Sequence, residues 1–377
     1  MSVGGDRHFA ACDFGDEPSL KDEQALLDEV VATIINAIRT RTNGVCKTMM
    51  HFSKELCDTN YSRLETYMRE KDYSDTAASN IHLVFVISQS EEARDSREVL
   101  LGRELPIVES FHDLYASIEL LKLGFYKQAV ASLRMALDTG LLSAHWNAVG
   151  YDTPEFKRWI SSKAHTPRKD SSFWRPIRQL PGVEEFYNCF SFESSINEIS
   201  HQLNDHIHTK GFWYSTTAEF QRKMRTQHEN VDCDRWYEMF VAATRIIVTL
   251  QLLVKPKLAV VVPDEYLLRK FGSHEQMPFC GVLFGDFSDR LELCVGEAEY
   301  NAISAIAETR PEVNKVRKYL EGCPDLKDDE IREINRKFWK STGQDVETVE
   351  IYVNETLRSI HEFEGPSLKD SVRSDGH

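Results

Sequence analysis

Residues 106–150 constrain the fold more than any other part of the chain. Pro106 suits the first turn of a helix, where a backbone N–H has no intrahelical partner. Phe111, Leu114, Ile118 and Leu121 then recur three and four residues apart, the spacing that lines one side of an α-helix. Gly124 breaks the chain. A second stripe, Val130, Leu133, Leu137, Leu141 and Ala144, predicts a helix from about Phe125 to Trp146. Two amphipathic helices joined by a tight glycine turn make an antiparallel hairpin.

The same periodicity recurs on both sides of the hairpin. Ser19 with Asp22 and Glu23 reads as a helix start, followed by Leu26, Leu27, Val30, Ile34 and Ile38 at helical spacing. A further helix is expected from Lys47 to Glu70. Later ones are expected over Glu155–Ala164, Phe190–Lys210, Asp234–Val254, Leu291–Tyr319, Asp328–Lys340 and Val346–Phe363. Residues 165–180, punctuated by Pro167 and Pro176, read as a loop. Ile81–Ile87 fits a buried strand or a buried helix equally, and 257–289 leaves room for short strands. The fold class is therefore mainly α, a multi-helix bundle with helical hairpins and a few short strands near 81–87 and 257–289. The organisation expected is a loose leader (1–18), an N-terminal helical region (19–105), a central bundle (106–255), a mostly helical C-terminal region (256–365) and a tail (366–377).

Composition narrows the function classes. Sixty acidic against 45 basic side chains leave a net charge of −15, which opposes a general polyanion binder. The acidity sits largely at the ends, with −6 in residues 1–30 and −6 in 321–377. The eight cysteines include no C-x-x-C pair, against a zinc ribbon or a thioredoxin-like motif. No apolar run approaches the ~18–20 residues of a membrane span, because Thr249 and Gln251 interrupt the longest one. No signal-peptide pattern opens the chain. A soluble, cytoplasmic protein with reduced thiols is expected. No phosphate-binding glycine loop, zinc-protease helix or nucleophile elbow is present, and no cofactor is expected.

Residues 195–211 hold the most chemistry. At ~100° per residue, Ile196, Ile199, Leu203 and Ile207 cluster within about 80°, and Glu198, His201, Asp205 and His208 cluster within about 80° on the opposite side. Two imidazoles and a carboxylate on one face suit acid–base work or metal ligation near neutral pH. They equally suit a solvated polar face. His206 falls beside the apolar stripe, as a core histidine would. On the hairpin, Arg134 and Asp138 form an i, i+4 pair, either a surface ion pair or a polar group at a seam facing the histidine helix. Residues 151–180 carry seven Lys and Arg against three Asp and Glu, a net +4, with aromatics interleaved. Lys157, Arg158, Trp159, Arg168, Lys169, Trp174 and Arg175 are the candidate binding residues there. Cations with stacking aromatics can hold single-stranded nucleic acid. The alternative is a segment whose aromatics plug the core while its cations stay wet.

Three short segments, Gln128-Ala129 to Leu137-Asp138, Glu155-Phe156 to Trp159, and Leu203 to His208 followed by Lys210-Gly211, resemble a pattern in uncharacterised bacterial all-helical proteins. The resemblance covers about 106–255, with Asp138 for Glu, Asn204 for Ser and His206 for Tyr. Such proteins are distantly similar to the HEPN and abortive-infection helical group, some of them metal-independent ribonucleases. The resemblance implies a role in bacterial stress or phage defence. The group's catalytic motif is an Arg, four to six residues, then a His. Among 13 histidines and 25 arginines, between two and three matches arise by chance. Three occur, at Arg158 and His165, Arg222 and His228, and Arg269 and His274, while His208 has no Arg at the right distance. The leading expectation is a helical binding or assembly protein, with a homo-oligomer or protein partner, RNA at the basic segment, and no membrane. The alternative is a HEPN-like ribonuclease using His201, His208, Asp205 and Arg134. The third is a metal-dependent hydrolase with His201, Asp205 and His208 as ligands.

Overall fold

The computed structural model describes residues 61–89, 104–208, 230–273, 283–284 and 287–363. The chain clusters into two units, Met1–Thr59 and Asn60–His377, and every described residue belongs to the second. The expected leader, the helix from Ser19, the tail 366–377 and residues 210–228 and 274–281 lie outside the described residues.

The hairpin forms as its periodicity demands. Helices α2 (Leu105–Lys122) and α3 (Tyr126–Val149) follow α1 (Tyr73–Gln89). At the turn, Phe125 N–H donates to Leu120 C=O (2.8 Å) and Gly124 N–H to Leu121 C=O (2.9 Å). That closure puts Gly124 at φ +91°, where a side chain would be strained. Two serines stitch the helices together: Ser110 Oγ donates to Ala136 C=O (2.9 Å) and Ser117 Oγ to Ala129 C=O (2.7 Å).

The short helices α4 (Pro154–Ile160), α5 (Ser171–Arg178) and α6 (Val183–Cys189) lead into α7 (Phe192–Ile207). Helix α5 corrects the loop expected over 165–180. Asp170 caps it by accepting from Ser172 N–H at 2.8 Å, and Phe173 and Ile177, four apart, are both buried. Burying that pair outweighs the single ladder hydrogen bond that Pro176 removes.

Helix α8 (Asn230–Val254) lies against α3 and α1 and carries the fully buried Trp236 and Phe240. Its approach to α3 is close: a Cβ on Gly140 would sit 2.7 Å from Ile247 Cγ1. Several polar side chains buried in these seams find partners. Trp236 Nε1–H donates to Ser117 Oγ (2.8 Å), Asn80 Nδ2–H to Thr244 Oγ1 (3.1 Å) and Gln251 Nε2–H to Gly140 C=O (3.3 Å). Gln251, which interrupts the apolar run in the sequence, is thus satisfied inside the molecule. By length and composition α8 is apolar enough to cross a membrane, and 67% of its most apolar window is buried within the protein. Just beyond α8, Lys255 Nζ meets Glu104 Oε2 at 2.8 Å, with both side chains under a tenth exposed. The acid stands at the start of α2 and the base follows the end of α8, the placement helix dipoles favour.

Residues 81–87 are helix, not strand. Asn80, Ile81, Leu83, Val84, Ile87 and Ser88 are buried while His82 and Phe85 are exposed, a helical rather than an alternating pattern. Beyond its first turn the N–H groups of α1 find acceptors along the helix, whereas a lone strand would need a partner. The strands expected in 257–289 reduce to a two-residue parallel pair, β1 (Val261–Val262) with β2 (Leu283–Phe284). Between them lies α9 (Asp264–Phe271). The single helical stretch expected over 291–319 is three helices: α10 (Phe287–Val295), α11 (Glu297–Glu308) and α12 (Pro311–Gly322). Gly296 at φ +101° and Pro311 set the breaks. Helices α13 (Asp328–Ser341) and α14 (Val346–Glu362) end the described chain. Arg336 forks onto both oxygens of Glu350 between them (2.5 and 2.8 Å).

Candidate functional site

The two faces written into residues 195–208 are those of α7. Ile196, Ile199 and Leu203 are buried, and His201 and His208 are exposed, His208 at the helix C-terminal cap. Asp205 is half-buried. His206 packs its ring edge-on to Tyr126, with centroids 5.7 Å apart. Burial, and then the Arg235 cation, hold its imidazole below the usual value. Among the described residues no group of three or more His, Cys, Asp or Glu side chains is placed to hold a metal ion. His201, Asp205 and His208 therefore do not assemble as a ligand set.

What converges instead is a charged seam beside α7. Arg134 Nε–H donates to Asp138 Oδ2 at 3.0 Å, and its Nη1 reaches Ser200 C=O at 3.4 Å. Arg134 thus ties α3 to α7 one residue before His201, the interhelical placement weighed from sequence. The other carboxylate oxygen of Asp138 meets Lys169 Nζ, from the turn before α5. Burial and the Arg134 cation push the Lys169 ammonium down to about 7. The touching Asp138 carboxylate pulls the other way. Burial also lowers Arg134 from its ordinary value. His145, on the same helix, is a structural residue: it stacks on Phe173 at 4.5 Å, and its Nδ1 lies 2.9 Å from Phe173 C=O.

The basic segment divides by chemistry. Lys157 and Arg158 are exposed beside Asp152 (4.0 Å) and Glu155 (3.9 Å), pairs worth little in water. Arg168 is exposed near Asp170. Arg175 is exposed, and its side chain has no hydrogen bond or ion pair among the described residues. The aromatics turn inward. Phe156 and Phe173 are core, and Trp159 and Trp174 are half-buried against it. Trp159 sits 5.6 Å from Trp146, with its Nε1–H directed at Thr166 Oγ1 (3.4 Å). The rings plug the bundle, and Lys157, Arg158, Arg168 and Arg175 stay wet while Lys169 is drawn into the seam with Asp138.

The feature that sequence reasoning missed is a cleft of about 450 Å³ between α1 and α2. Its cause is local. Ser74, Ala77 and Ala78, one turn apart on α1, present small side chains toward Phe111, Tyr115 and Ile118 of α2. Phe85 and Phe111 close one end with centroids 5.2 Å apart. Phe85 and Tyr115 remain 41% and 56% exposed. At the other end lie the Ser74 hydroxyl, buried with no hydrogen-bond partner among the described residues, and Lys122. The Lys122 Nζ stands 3.5 Å from Glu119 and 5.2 Å from the Tyr61 ring centroid. The available signal was a second apolar line on α2, Phe111, Tyr115 and Ile118, set beside the core line Leu114, Ser117 and Leu121. Comparison of the chain with protein-family models, curated proteins and solved structures returns no match.

Proposed function

We propose that this is a helical binding protein and that the α1–α2 cleft is where its ligand seats. The observation that carries this reading is the cleft's make-up: an opening of about 450 Å³ between two helices, lined mostly by apolar and aromatic side chains, with Ser74, His82, Glu119 and Lys122 as its polar members. Concave, largely apolar sites with few polar groups, set between helices of a bundle, are where small ligands bind. A solvated protein otherwise keeps rings such as Phe85 and Tyr115 from lying together at a surface. The test is saturable, one-to-one binding of a neutral apolar fluorescent probe. Ala78→Phe, which fills the cleft from an exposed position, abolishes it. Met135→Ser, which removes an exposed apolar side chain on α3, leaves it unchanged. Binding that persists in Ala78→Phe removes the cleft from the reading.

A second reading, cleavage of RNA without metal, draws on the charged seam. Arg134 donates to Ser200 C=O next to His201, and Lys169, whose ammonium burial and the Arg134 cation disfavour while Asp138 favours it, stands in the same seam. It expects RNA cleavage in EDTA that falls at least about a hundredfold in Lys169→Met and His201→Ala, the scale of a lost acid–base group. RNA left intact by the wild type ends it.

A further inference from the structure

The cleft is graded along its length, and the grading identifies a ligand class; this step rests on the cleft being a binding site. Helices α1 and α2 run antiparallel past one another, so the Phe85–Phe111 pair marks one end and Ser74 with Lys122 the other. Eleven residues separate Ser74 from Phe85, and eleven separate Phe111 from Lys122. At 1.5 Å per residue that is a trough of about 16 Å. An extended hydrocarbon, with C–C bonds of about 1.52 Å at about 111°, advances ~1.25 Å per carbon and fills such a trough with about twelve carbons.

The polar end holds two donors, Ser74 and Lys122, beside the Glu119 carboxylate that Lys122 partly neutralises. Among the described residues the Ser74 hydroxyl has no acceptor, and a buried hydroxyl without one is an unfavourable arrangement that a ligand oxygen would relieve. Lys122 carries three N–H donors and spends one side on Glu119. A head that only accepts hydrogen bonds fits both. Tyr61, under the Lys122 ammonium, helps hold that cation at the mouth. We infer that the cleft takes a single-chain amphiphile of about twelve carbons, its tail along Ile81, Phe85, Phe111 and Ile118 and its carboxylate at Ser74 and Lys122.

Isothermal titration of the full chain with dodecanoate, below the concentration at which it forms micelles, tests this. One saturable site is expected. It disappears in Ala78→Phe and weakens in the smaller block Ala78→Leu, while far-ultraviolet circular dichroism stays unchanged because Ala78 is exposed. Lys122→Ala weakens dodecanoate about tenfold and leaves dodecanol within about twofold, the difference a charge-assisted hydrogen bond makes. No saturable binding, binding that survives Ala78→Phe, or dodecylamine binding more tightly than dodecanoate overturns the inference. If the neutral probe binds and is lost in Ala78→Phe while dodecanoate does not bind, the amphiphile falls and the binding site stands.

Discussion

At the residue scale the sharpest constraint is Gly140. In an exposed helix interior, Gly→Ala gains about 1 kcal/mol of helix propensity. Here the new methyl would meet Ile247 at 2.7, 3.1 and 3.3 Å through three different side-chain atoms. Ile247 is fully buried, and a β-branched side chain in a helix has one strongly preferred rotamer, so it cannot swing away. Overpacking of this kind costs about 1–3 kcal/mol, and the clash wins. Gly140→Ala is expected to lower the urea midpoint, and to lower it less in an Ile247→Ala background, where the facing side chain is gone, than in the wild type. A raised midpoint in the single variant would mean that α3 and α8 separate freely. The site residues show how far local spacing reaches. Arg134 and Asp138 were legible as a pair because they lie four apart on one helix. Their third partner, Lys169, comes from 31 residues further on, and no periodicity links the two segments. The same limit hid the cleft, whose walls come from helices separated by fifteen residues of chain.

At the element scale, length alone did not decide legibility: α4, with seven residues, was expected as a helix, while α1, with seventeen, was left open between strand and helix. Helices α2, α3 and α8 repeat their apolar spacing over five turns or more, enough for the pattern to stand above chance. Helix α5, with eight residues and an internal proline, offers only Phe173 and Ile177, and tertiary burial decides it. The C-terminal elements are joined by charge as well as packing. Asp328, in the first turn of α13, accepts from Arg269 of α9 (2.9 Å) and meets His361 of α14 at 2.9 Å. The hydrogen bond from Arg269, then that from His361, hold its carboxyl below the usual range. A depressed carboxyl stabilises the fold above its unfolded value of about 3.9 and loses that contribution as pH falls through the folded value. The wild type is therefore expected to lose stability to acid below about pH 4 more steeply than Asp328→Asn, in which this link is absent at every pH. Equal acid limbs in thermal melts would place the link outside the cooperative unit.

At the scale of the whole molecule, the net charge of −15 and the +4 of residues 151–180 pose one question with two separable answers. If polyanions bind at the basic segment, each phosphate neutralised releases counterions, and affinity falls steeply as salt rises from about 50 to 200 mM. If the molecule works through the α1–α2 cleft, the driving force is removal of apolar surface from water. Screening barely touches that force, and its marker is a negative heat-capacity change. The inward-turned Trp159 and Trp174 favour the second answer, since rings that fill the core are not free to stack on bases. A titration of the neutral probe across that salt range is expected to change its affinity less than about twofold. The same series with single-stranded RNA is expected to show, at most, weak binding that vanishes at the higher salt. Tight RNA binding that survives about 200 mM salt would reverse the order of the two readings. It would also require the cations at Arg168 and Arg175 to act together despite the acidic molecule around them.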